Sequence, residues 1–432
     1  MRRIYMDANA TTPLLPEVFE AMRPFWIENF GNASSIHQQG QQARAAVDHA
    51  RESVARLLRC RASEIVFTSG GTEGDNLALF GTLVTGDHLI TTQIEHHAVL
   101  HAAEALAKRG IDVTFLPCTP SGLIEPATLR AALKPNTRLV SIMLANNETG
   151  TIQPIAELAA IAHAAGALFH TDAVQAAAKL PLDLNPKGAL HDVDLLTLSG
   201  HKIYAPQGIG VLFVRRNVRL APLFHGGTHE RQRRAGTENV PGIVALGKAA
   251  ELAAAWLNPA PEESAPTPVT PSQSPVTPSK TPGAPSFASS AKGGISQSPT
   301  AALTALRDRL EQGILAQVEE AGVNGTGTPR VANTTNMYFD HVEAEALVIA
   351  LDLKGLAVSG GSACQSGATE PSHVLTSMGL TDARARASIR FSLSRLTNEE
   401  EVDYALTLIP AAVARLRTLS PTWHQHEANS AA

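Results

Sequence analysis

The sequence has few of the features that mark secreted, membrane-spanning or nucleic-acid-binding proteins. Three of its 432 residues are cysteines, too few and too widely spaced for a disulfide framework, and this usage suits a reducing compartment. The N-terminal arginines precede no apolar run, so no secretory signal is predicted, and no stretch reaches the ~18 continuous apolar residues of a transmembrane helix. The net charge of −5 shows no basic excess. We therefore expect a cytoplasmic protein without nucleic acid or membrane as a partner.

The region from residue 14 to 257 has the pattern of an α/β domain. Short apolar, β-rich segments alternate with helical periodicity, and glycine follows two of the predicted helices, at Gly110 and Gly166. Near-continuous apolar strands separated by helices predict a mainly parallel seven-stranded sheet covered by helices on both faces. The predicted strands are 64–68, 88–92, 112–117, 138–145, 167–172, 194–199 and 211–215.

Residues 258–300 interrupt this pattern. They hold ten of the 27 prolines with many serines and threonines, and they contain a single aromatic residue. Such a composition cannot bury enough apolar surface to offset the entropy of ordering, so we predict a disordered insertion. Folded sequence resumes with a helix near Ala301, and residues 1–13 and 301–423 are assigned to a smaller α+β domain. The last helix is expected to end near Leu419, with 424–432 as a tail.

A lysine, a carboxylate and a glycine turn are predicted to meet at one edge of the sheet. Lys202 follows the strand 194–199 in SGHKIY, Asp172 ends the strand 167–172 in HTDAVQ, and TSGGTEGDN (68–76) joins a strand to a helix. Ligands bind beyond the carboxyl ends of parallel strands, and backbone N–H groups at such a turn suit a phosphate. The turn lacks GxGxxG spacing, which disfavours a dinucleotide. These groups are what pyridoxal 5′-phosphate (PLP) requires.

With these residues in view, the sequence resembles the cysteine desulfurases of the NifS/IscS type, in the class V group of fold-type I PLP enzymes. The resemblance covers residues 4 to about 257 and 301 to about 423. The matching segments are DANATTP, GNASSIH, TSGGTEGDN, EHHAVL, ANNETG, HTDAVQ, SGHKIY, RRAGTENV, SGGSAC, EPSHVL and IRFSLSR.

The resemblance implies a role for each matching residue. Lys202 would hold PLP covalently, Asp172 would pair with the ring nitrogen, Gln175 would bond the ring oxygen, and His96 would stack on the ring and exchange protons. Asn147 and Arg390 would bind the substrate, and Cys364 would be the catalytic sulfur acceptor. Thr237 would reach the phosphate of a neighbouring subunit, which implies a homodimer. The phosphate of the same subunit would be held by Gly71, Thr72, Ser199 and His201.

The implied reaction converts L-cysteine to L-alanine and leaves a persulfide on Cys364. The sulfur then passes to an acceptor protein such as an iron–sulfur scaffold. Three alternatives stay open: a selenocysteine lyase, another enzyme of the same scaffold such as an aminotransferase, and a non-catalytic assembly scaffold. Individual residues also have plain structural readings, since Asp172 could cap a helix, Asn147 could build a turn and Arg390 could form a structural ion pair.

The sequence departs from the pattern of its relatives at several positions. Ala205-Pro206-Gln207 stands where relatives usually have Gly-Pro-Lys, and Thr228 and Gln232 stand where they often have glycine. Thr228 and Gln232 are expected to narrow the local backbone freedom. None of these departures replaces a predicted catalytic group.

Overall fold

The computed structural model of the chain describes residues 2–259, 298–360 and 370–430. The predicted disordered insertion lies almost entirely outside these residues, as does Cys364 with the residues around it. Both predictions therefore remain predictions.

A seven-stranded sheet forms the centre of the protein, as the sequence predicts. All seven predicted strands are present. The strands of the described residues are β1 (Ile4–Tyr5), β2 (Ile65–Thr68), β3 (His88–Thr92), β4 (Asp112–Leu116), β5 (Thr137–Ser141), β6 (Leu168–Asp172), β7 (Leu195–Ser199), β8 (Gly210–Val214), β9 (Ala321–Asn324), β10 (Thr334–Phe339), β11 (Leu356–Ala357), β12 (Ser359–Gly360) and β13 (Ser388–Ser392). The strand order of the central sheet is β2-β8-β7-β6-β5-β3-β4, and only β8 runs antiparallel to its neighbours within this sheet.

Helices cover both faces of this sheet. The helices are α1 (Pro16–Met22), α2 (Pro24–Ile27), α3 (Gln38–Leu58), α4 (Gly71–Thr82), α5 (His97–Ala107), α6 (Pro126–Ala132), α7 (Ile155–Ala164), α8 (His229–Gln232), α9 (Val240–Leu257), α10 (Pro299–Leu315), α11 (Ala344–Asp352), α12 (His373–Ser377), α13 (Asp382–Arg386), α14 (Glu399–Arg417) and α15 (Pro421–Ser430). Gly110 and Gly166, which follow α5 and α7, adopt positive φ of 85° and 78°, as expected after a helix.

Alternation along the strands divides the apolar side chains between two cores. In β2, for example, Ile65 and Phe67 join the cluster under α3, α7 and α9, whereas Val66 joins the cluster under α4 and α5. Successive side chains of a strand point to opposite faces, so a strand that is apolar throughout requires cover on both sides. The sheet is therefore buried between two layers of helices, and its polar groups concentrate where the strands end.

A separate core lies around a four-stranded antiparallel sheet of order β12-β13-β10-β9. This core includes Ile4 and Met6 from the N-terminal segment, whose strand β1 pairs in parallel with β11. The strands β1, β9, β11 and β12 were not predicted, because they span only two to four residues. The chain also continues beyond the expected last helix into α15, where Trp423 and His426 contact His341.

Helix α9 is the one described helix that is long and apolar enough to cross a membrane, with a mean hydropathy of 1.4. Half of it is buried in the protein. Gly247 on α9 lies so close to α3 that a Cβ there would stand 2.6 Å from the Cα of Ala50. The apolar character of α9 therefore accompanies close packing of two helices in the main core.

Candidate active site

The predicted site residues converge on one cavity at the carboxyl edge of the seven-stranded sheet. The cavity has a volume of about 340 Å³. Strands β3, β5, β6 and β7 all end at this edge because they pair in parallel. Strand β2 ends there too, since β8 is antiparallel to both β7 and β2. Ten of the predicted residues line the cavity: Gly71, Thr72, His96, Asn147, Asp172, Gln175, Ser199, His201, Lys202 and Arg390.

Lys202 lies in a short 3₁₀ turn directly after β7. Its Nζ donates to the backbone carbonyls of Asn9 at 2.5 Å and Ala10 at 2.7 Å. The N-terminal segment therefore positions this amine, although it is about 190 residues away in the sequence. The close packing of the turn depends on Gly200, where a Cβ would meet Ile209 at 2.8 Å.

Asp172 is buried at the end of β6, and its Oδ1 accepts a hydrogen bond from the backbone N–H of Val174 at 2.8 Å. Burial raises the pKa of this carboxyl to about 6, while the Val174 N–H and the charge of Lys202 oppose the rise. Above that pH the carboxylate is ionised and can hold a protonated ring nitrogen. The bond to Val174 also shows that Asp172 caps a turn. This structural role does not exclude its predicted role in binding the ring nitrogen.

His96 precedes α5, and its Nδ1 accepts a hydrogen bond from the backbone N–H of Ala98 at 3.1 Å. Burial and, next, the charge of Lys202 lower the pKa of His96 to about 4. The ring is therefore neutral at pH 7, and because Nδ1 is an acceptor, Nε2 carries the proton. The neighbouring His97 packs its ring 4.7 Å from that of His373.

The turn between β2 and α4 forms a small, tightly fitted cradle. A Cβ on Gly71 would stand 3.0 Å from Val174 and 3.6 Å from Ser199, so glycine leaves room there. The first N–H groups of the twelve-residue helix α4 are not bonded within the helix and favour an anion. His201, across the cradle, hydrogen-bonds Thr11 at 3.2 Å, and its pKa is lowered to about 4 by burial.

Arg390 reaches the cavity from β13 in the smaller core. Its Nη2 donates to Asp7 Oδ1 at 2.8 Å, and its Nη1 donates to the carbonyl of Asn147 at 3.1 Å. The structural ion pair considered for Arg390 is therefore present. Its Nε, and also Oδ1 of Asn147, are buried without a hydrogen-bond partner among the described residues. A donor and an acceptor thus remain for a ligand with a carboxylate and a polar group.

Two predicted residues are not part of this cavity as described. Thr237 is exposed and lines a neighbouring space of about 110 Å³ with Ser69 and Arg234. Cys364 lies outside the described residues. The chain on either side of residues 361–369 is anchored beside the cavity, because Ser359 pairs with Arg390 and Ser372 donates to the carboxylate of Glu148 at 2.5 Å.

Sequence reasoning missed a set of polar residues that surround the predicted ones. Asn9 is the hub: its Oδ1 accepts from Lys179, and its backbone carbonyl accepts from Gln175 at 3.0 Å. Lys179 also donates to Oε1 of Gln175 at 2.7 Å, and burial lowers its pKa strongly. The DANATTP segment and the four-residue spacing from Gln175 to Lys179 were the available signals. Asp75, on α4, also lines the cavity.

The residues present fit PLP. The Gly71 cradle suits its phosphate, Asp172 suits its ring nitrogen, and Lys202 has the primary amine that attaches it. The orphan atoms on Arg390 and Asn147 leave polar positions for an amino-acid substrate beside it.

Comparison with known proteins agrees with this geometry. The family model "Aminotransferase class-V" matches residues 4–262 and 291–405. A cysteine desulfurase of Trichormus azollae is 46% identical over 424 residues, which are 98% of this chain and 95% of the relative.

Solved structures match over nearly the whole length as well. A NifS-like protein superposes with a TM-score of 0.80 at 33% identity, covering 96% of this chain and 100% of its own. SspA in complex with cysteine superposes with a TM-score of 0.71 at 34% identity, covering 90% and 98%. The chain therefore belongs to the class V aminotransferase family and, within it, to the PLP-dependent cysteine desulfurases of the NifS/IscS type.

Proposed function

We propose that this protein takes sulfur from L-cysteine, releases L-alanine and passes the sulfur on through a persulfide on Cys364. The observation that carries the proposal is that one cavity holds both the residues suited to bind PLP and two polar atoms that lack a hydrogen-bond partner among the described residues. Arg390 Nε and Asn147 Oδ1 have no partner among the described residues, and the same cavity is lined by Lys202 and Asp172. An amino acid bound there lies between a guanidinium and the lysine amine.

The cofactor would be held by the residues already described. Lys202 would attach it, Asp172 would bond its ring nitrogen, and the cradle of Gly71, Thr72, Ser199 and His201 would hold its phosphate. When bound, PLP supplies an electron sink that makes the α-proton of an amino acid acidic. The Lys202 amine, held by two backbone carbonyls, is the group placed to accept that proton.

His96 would act on the sulfur side of the reaction. Its ring is neutral at pH 7 and carries a proton on Nε2, because Nδ1 accepts from Ala98 and burial depresses its pKa. A neutral imidazole N–H can donate a hydrogen bond or a proton to a developing negative charge. His96 is thus suited to donate to a sulfur anion.

Arg390 would orient the substrate by its carboxylate. Asp7 and the carbonyl of Asn147 fix two guanidinium nitrogens, so the plane of the group is set before the substrate arrives. A preset guanidinium loses little freedom on binding a carboxylate. The bonds to Asp7 and Asn147 leave Nε available for that contact.

Cys364 would take the sulfur. Its thiolate would attack the substrate sulfur, so that an S–S bond forms and the substrate C–S bond breaks. The electron pair of that bond stays with the three-carbon fragment, which is protonated and released as alanine. Burial raises the pKa of the two described cysteines, Cys60 to about 12, so both remain thiols near pH 7.

The decisive test replaces each cysteine by serine and follows radiolabelled sulfur from cysteine onto the protein. Cys364→Ser should keep the visible absorption of bound PLP but lose labelled persulfide and alanine formation. Cys118→Ser and Cys60→Ser are the matched controls and should keep both activities. Labelled sulfur on the Cys364→Ser protein would contradict the role of this thiol. Loss of labelling only in Cys118→Ser would show that Cys118, and not Cys364, accepts the sulfur.

We further propose that the protein works as a cytoplasmic homodimer that delivers sulfur to an acceptor such as an iron–sulfur scaffold protein. Thr237 is exposed and apart from the cavity of its own chain, which supports a contact across subunits. Exposed apolar side chains such as Trp26, Ile27 and Phe30 supply surface that a second subunit could bury.

Sedimentation and a mixed-dimer experiment test this arrangement. Thr237→Ala should lower PLP affinity, and a heterodimer of Thr237→Ala with Lys202→Ala should retain one intact site. A monomer with full PLP affinity would contradict the dimer. The acceptor is tested by mixing persulfide-loaded protein with an iron–sulfur scaffold and measuring transfer of the label.

A further inference from the structure

A second carboxyl group lies behind Asp172. Asp75, on α4, is only 1% exposed and lines the cavity. Asp172 lines the same cavity, and burial, followed by the charge of Asp172, raises the pKa of Asp75. Two ionised carboxylates cannot share a hydrogen bond, because each would be only an acceptor. A hydrogen bond between Asp75 and Asp172 therefore requires a proton on one of them.

The close approach is built into the packing of α4 on the sheet. Gly74 lies against Thr197 of β7, where a Cβ would stand 2.7 Å from the threonine methyl carbon. Without a side chain at position 74, the helix can lie close enough to bring the next residue, Asp75, against the end of β6. The pair is thus fixed by the backbone and does not depend on a flexible loop.

The two carboxyls have different surroundings. Asp172 receives the N–H of Val174 and lies near Lys202, and both favour its ionised form. Oδ1 of Asp75 has no hydrogen-bond partner among the described residues. Its nearest basic group is Nε2 of His170, at 3.6 Å, too far for a hydrogen bond. A buried carboxyl without a cation favours the protonated form.

The other polar groups around Asp75 do not supply a compensating charge. His170 is fully buried, its Nδ1 bonds Ser141, and burial lowers its pKa to about 3, so it is neutral. Thr197 on β7 offers a neutral hydroxyl. Glu95, on the segment before α5, is itself a carboxyl and repels a charge on Asp75. Burial, followed by the charge of Asp172, places the pKa of Asp75 well above its ordinary range.

We propose that Asp75 is a positioning residue that stays protonated at neutral pH and donates a hydrogen bond to Asp172. This bond keeps Asp172 ionised and oriented, ready to bond the ring nitrogen of the cofactor. The inference rests on the proposed function only in that Asp172 bonds the ring nitrogen of PLP. The protonation of the pair is a property of the cofactor-free chain and can be measured without any activity.

The first test asks which carboxyl holds the proton. Infrared spectra of the full-length, cofactor-free protein at pH 7 record the carbonyl stretch of protonated carboxyl groups. Asp75→Asn should remove one such signal, whereas Asp172→Asn should retain it. Glu95→Gln identifies the separate contribution of Glu95. A signal lost in Asp172→Asn and kept in Asp75→Asn would overturn the proposal.

The second test uses the sign of a pKa change. If Asp75 is a neutral donor, Asp75→Asn keeps a donor and leaves the titration midpoint of Asp172 in place, while Asp75→Leu removes the donor and raises it. If Asp75 were ionised, both variants would remove a like charge and lower that midpoint, which would overturn the proposal. Asp75→Asn matches the aspartate in shape, so the test holds even if Asp75→Leu folds poorly.

In the cofactor-loaded protein, Asp75→Leu should bind PLP roughly 10- to 100-fold more weakly than Asp75→Asn, as expected for the loss of a hydrogen bond to a charged group. Equal weakening in both variants would indicate that Asp75 acts only through its charge or its volume. That result would contradict the donor role and would leave the desulfurase assignment untouched.

Discussion

Two buried carboxylate groupings of this protein are built in opposite ways. Glu230 receives two hydrogen bonds of 2.7 Å from Arg51 and a third from the backbone N–H of Phe67 at 3.1 Å. By contrast, Asp75, which lines the active-site cavity, and Glu95, which directly precedes His96, each keep a buried oxygen without a partner among the described residues. A buried ion pair with all its hydrogen bonds made fixes one geometry. Buried carboxyls that lack hydrogen-bond partners have shifted pKa values, and such values are typical of active sites.

The difference follows from where the groups lie. Arg51 and Glu230 join α3 to α8 and do not line the active-site cavity, although Glu230 borders the neighbouring space with Thr237. The carboxylate of Glu230 is bonded through both oxygens within the protein. Asp172 and its neighbours lie where strands stop, so some of their bonding capacity is left for what binds there. The comparison predicts that the first grouping controls stability and the second controls activity.

The largest effect is expected at Asp172. Asp172→Asn removes the charge opposite the ring nitrogen, and kcat should fall on the order of a thousandfold, as for other lost electrostatic contacts in active sites. The folded protein should persist, because an amide fits the same space. Alanine formation per folded molecule measures the effect.

The control for that variant is Asp194→Asn. Asp194 is also a buried acid, but it lies just before β7, at the opposite edge of the sheet, where it bonds His163 at 2.7 Å. We expect its kcat to stay within about threefold of the wild type, since a change of that size is under 1 kcal/mol. Equal losses in the two variants would remove the distinction between the sheet edges.

The next effect is on stability, at the fully bonded pair. Glu230→Gln leaves Arg51 buried without its counter-ion, so the free energy of unfolding should fall by about 3–5 kcal/mol. The kcat of the protein that remains folded should not change. Denaturant titration of the cofactor-free chain measures the first quantity and initial rates measure the second.

A surface pair provides the comparison for this loss. Arg130 and Glu157 are 3.3 Å apart, and more than half of each side chain is exposed. Glu157→Gln should therefore cost less than about 1 kcal/mol. A loss at Glu230 no larger than this would show that the buried pair contributes little beyond its surroundings.

A smaller effect is expected in the pH dependence of stability. Burial raises the pKa of Glu95 from 4.5 to about 8. Between these values the folded chain keeps a proton that the unfolded chain has lost, so this group's contribution to stability falls as pH rises and is fully lost above pH 8. Glu95→Gln removes this titration, so the loss of stability between pH 5 and pH 8 should be smaller than in the wild type by about 3 kcal/mol. Chemical denaturation of the cofactor-free protein at both pH values checks it.

The same measurement on Glu28→Gln separates burial from a general charge effect, since Glu28 is exposed. For Glu28→Gln we expect the same change in unfolding free energy between pH 5 and pH 8 as in the wild type. If Glu95→Gln also showed the wild-type pH dependence, Glu95 would be ionised in the folded state. The active-site carboxyls and the Arg51–Glu230 pair would then differ less than their hydrogen bonds indicate.

The sequence predicts the sheet and most of the cavity because both follow from local patterns. The end of an apolar strand can be located in the sequence; Asp172 is the last residue of one such strand, and Lys202 lies in the short turn that follows another. Arg390 was found through the resemblance, but its partner Asp7 lies 383 residues away, a distance that no local pattern spans. Asp75 was missed because a polar residue in the first turns of a helix usually faces solvent. This one is buried, because the packing of Gly74 against Thr197 brings the helix close to the sheet.

The smallest effect is expected at Gln232, in the segment whose departures from the family pattern were noted in the sequence. Three consecutive non-glycine residues of α8, Glu230, Arg231 and Gln232, have positive φ of 47°, 56° and 66°. Thr228, the other departure, has an ordinary φ of −84°, so only the Gln232 departure carries backbone strain. Gln232→Gly should raise the free energy of unfolding by about 0.5 kcal/mol, since relief of strain exceeds the added freedom of the unfolded chain. Thr228→Gly should lower it by a similar amount, and a loss in both variants would show that the Arg51–Glu230 pair already sets this backbone without measurable strain.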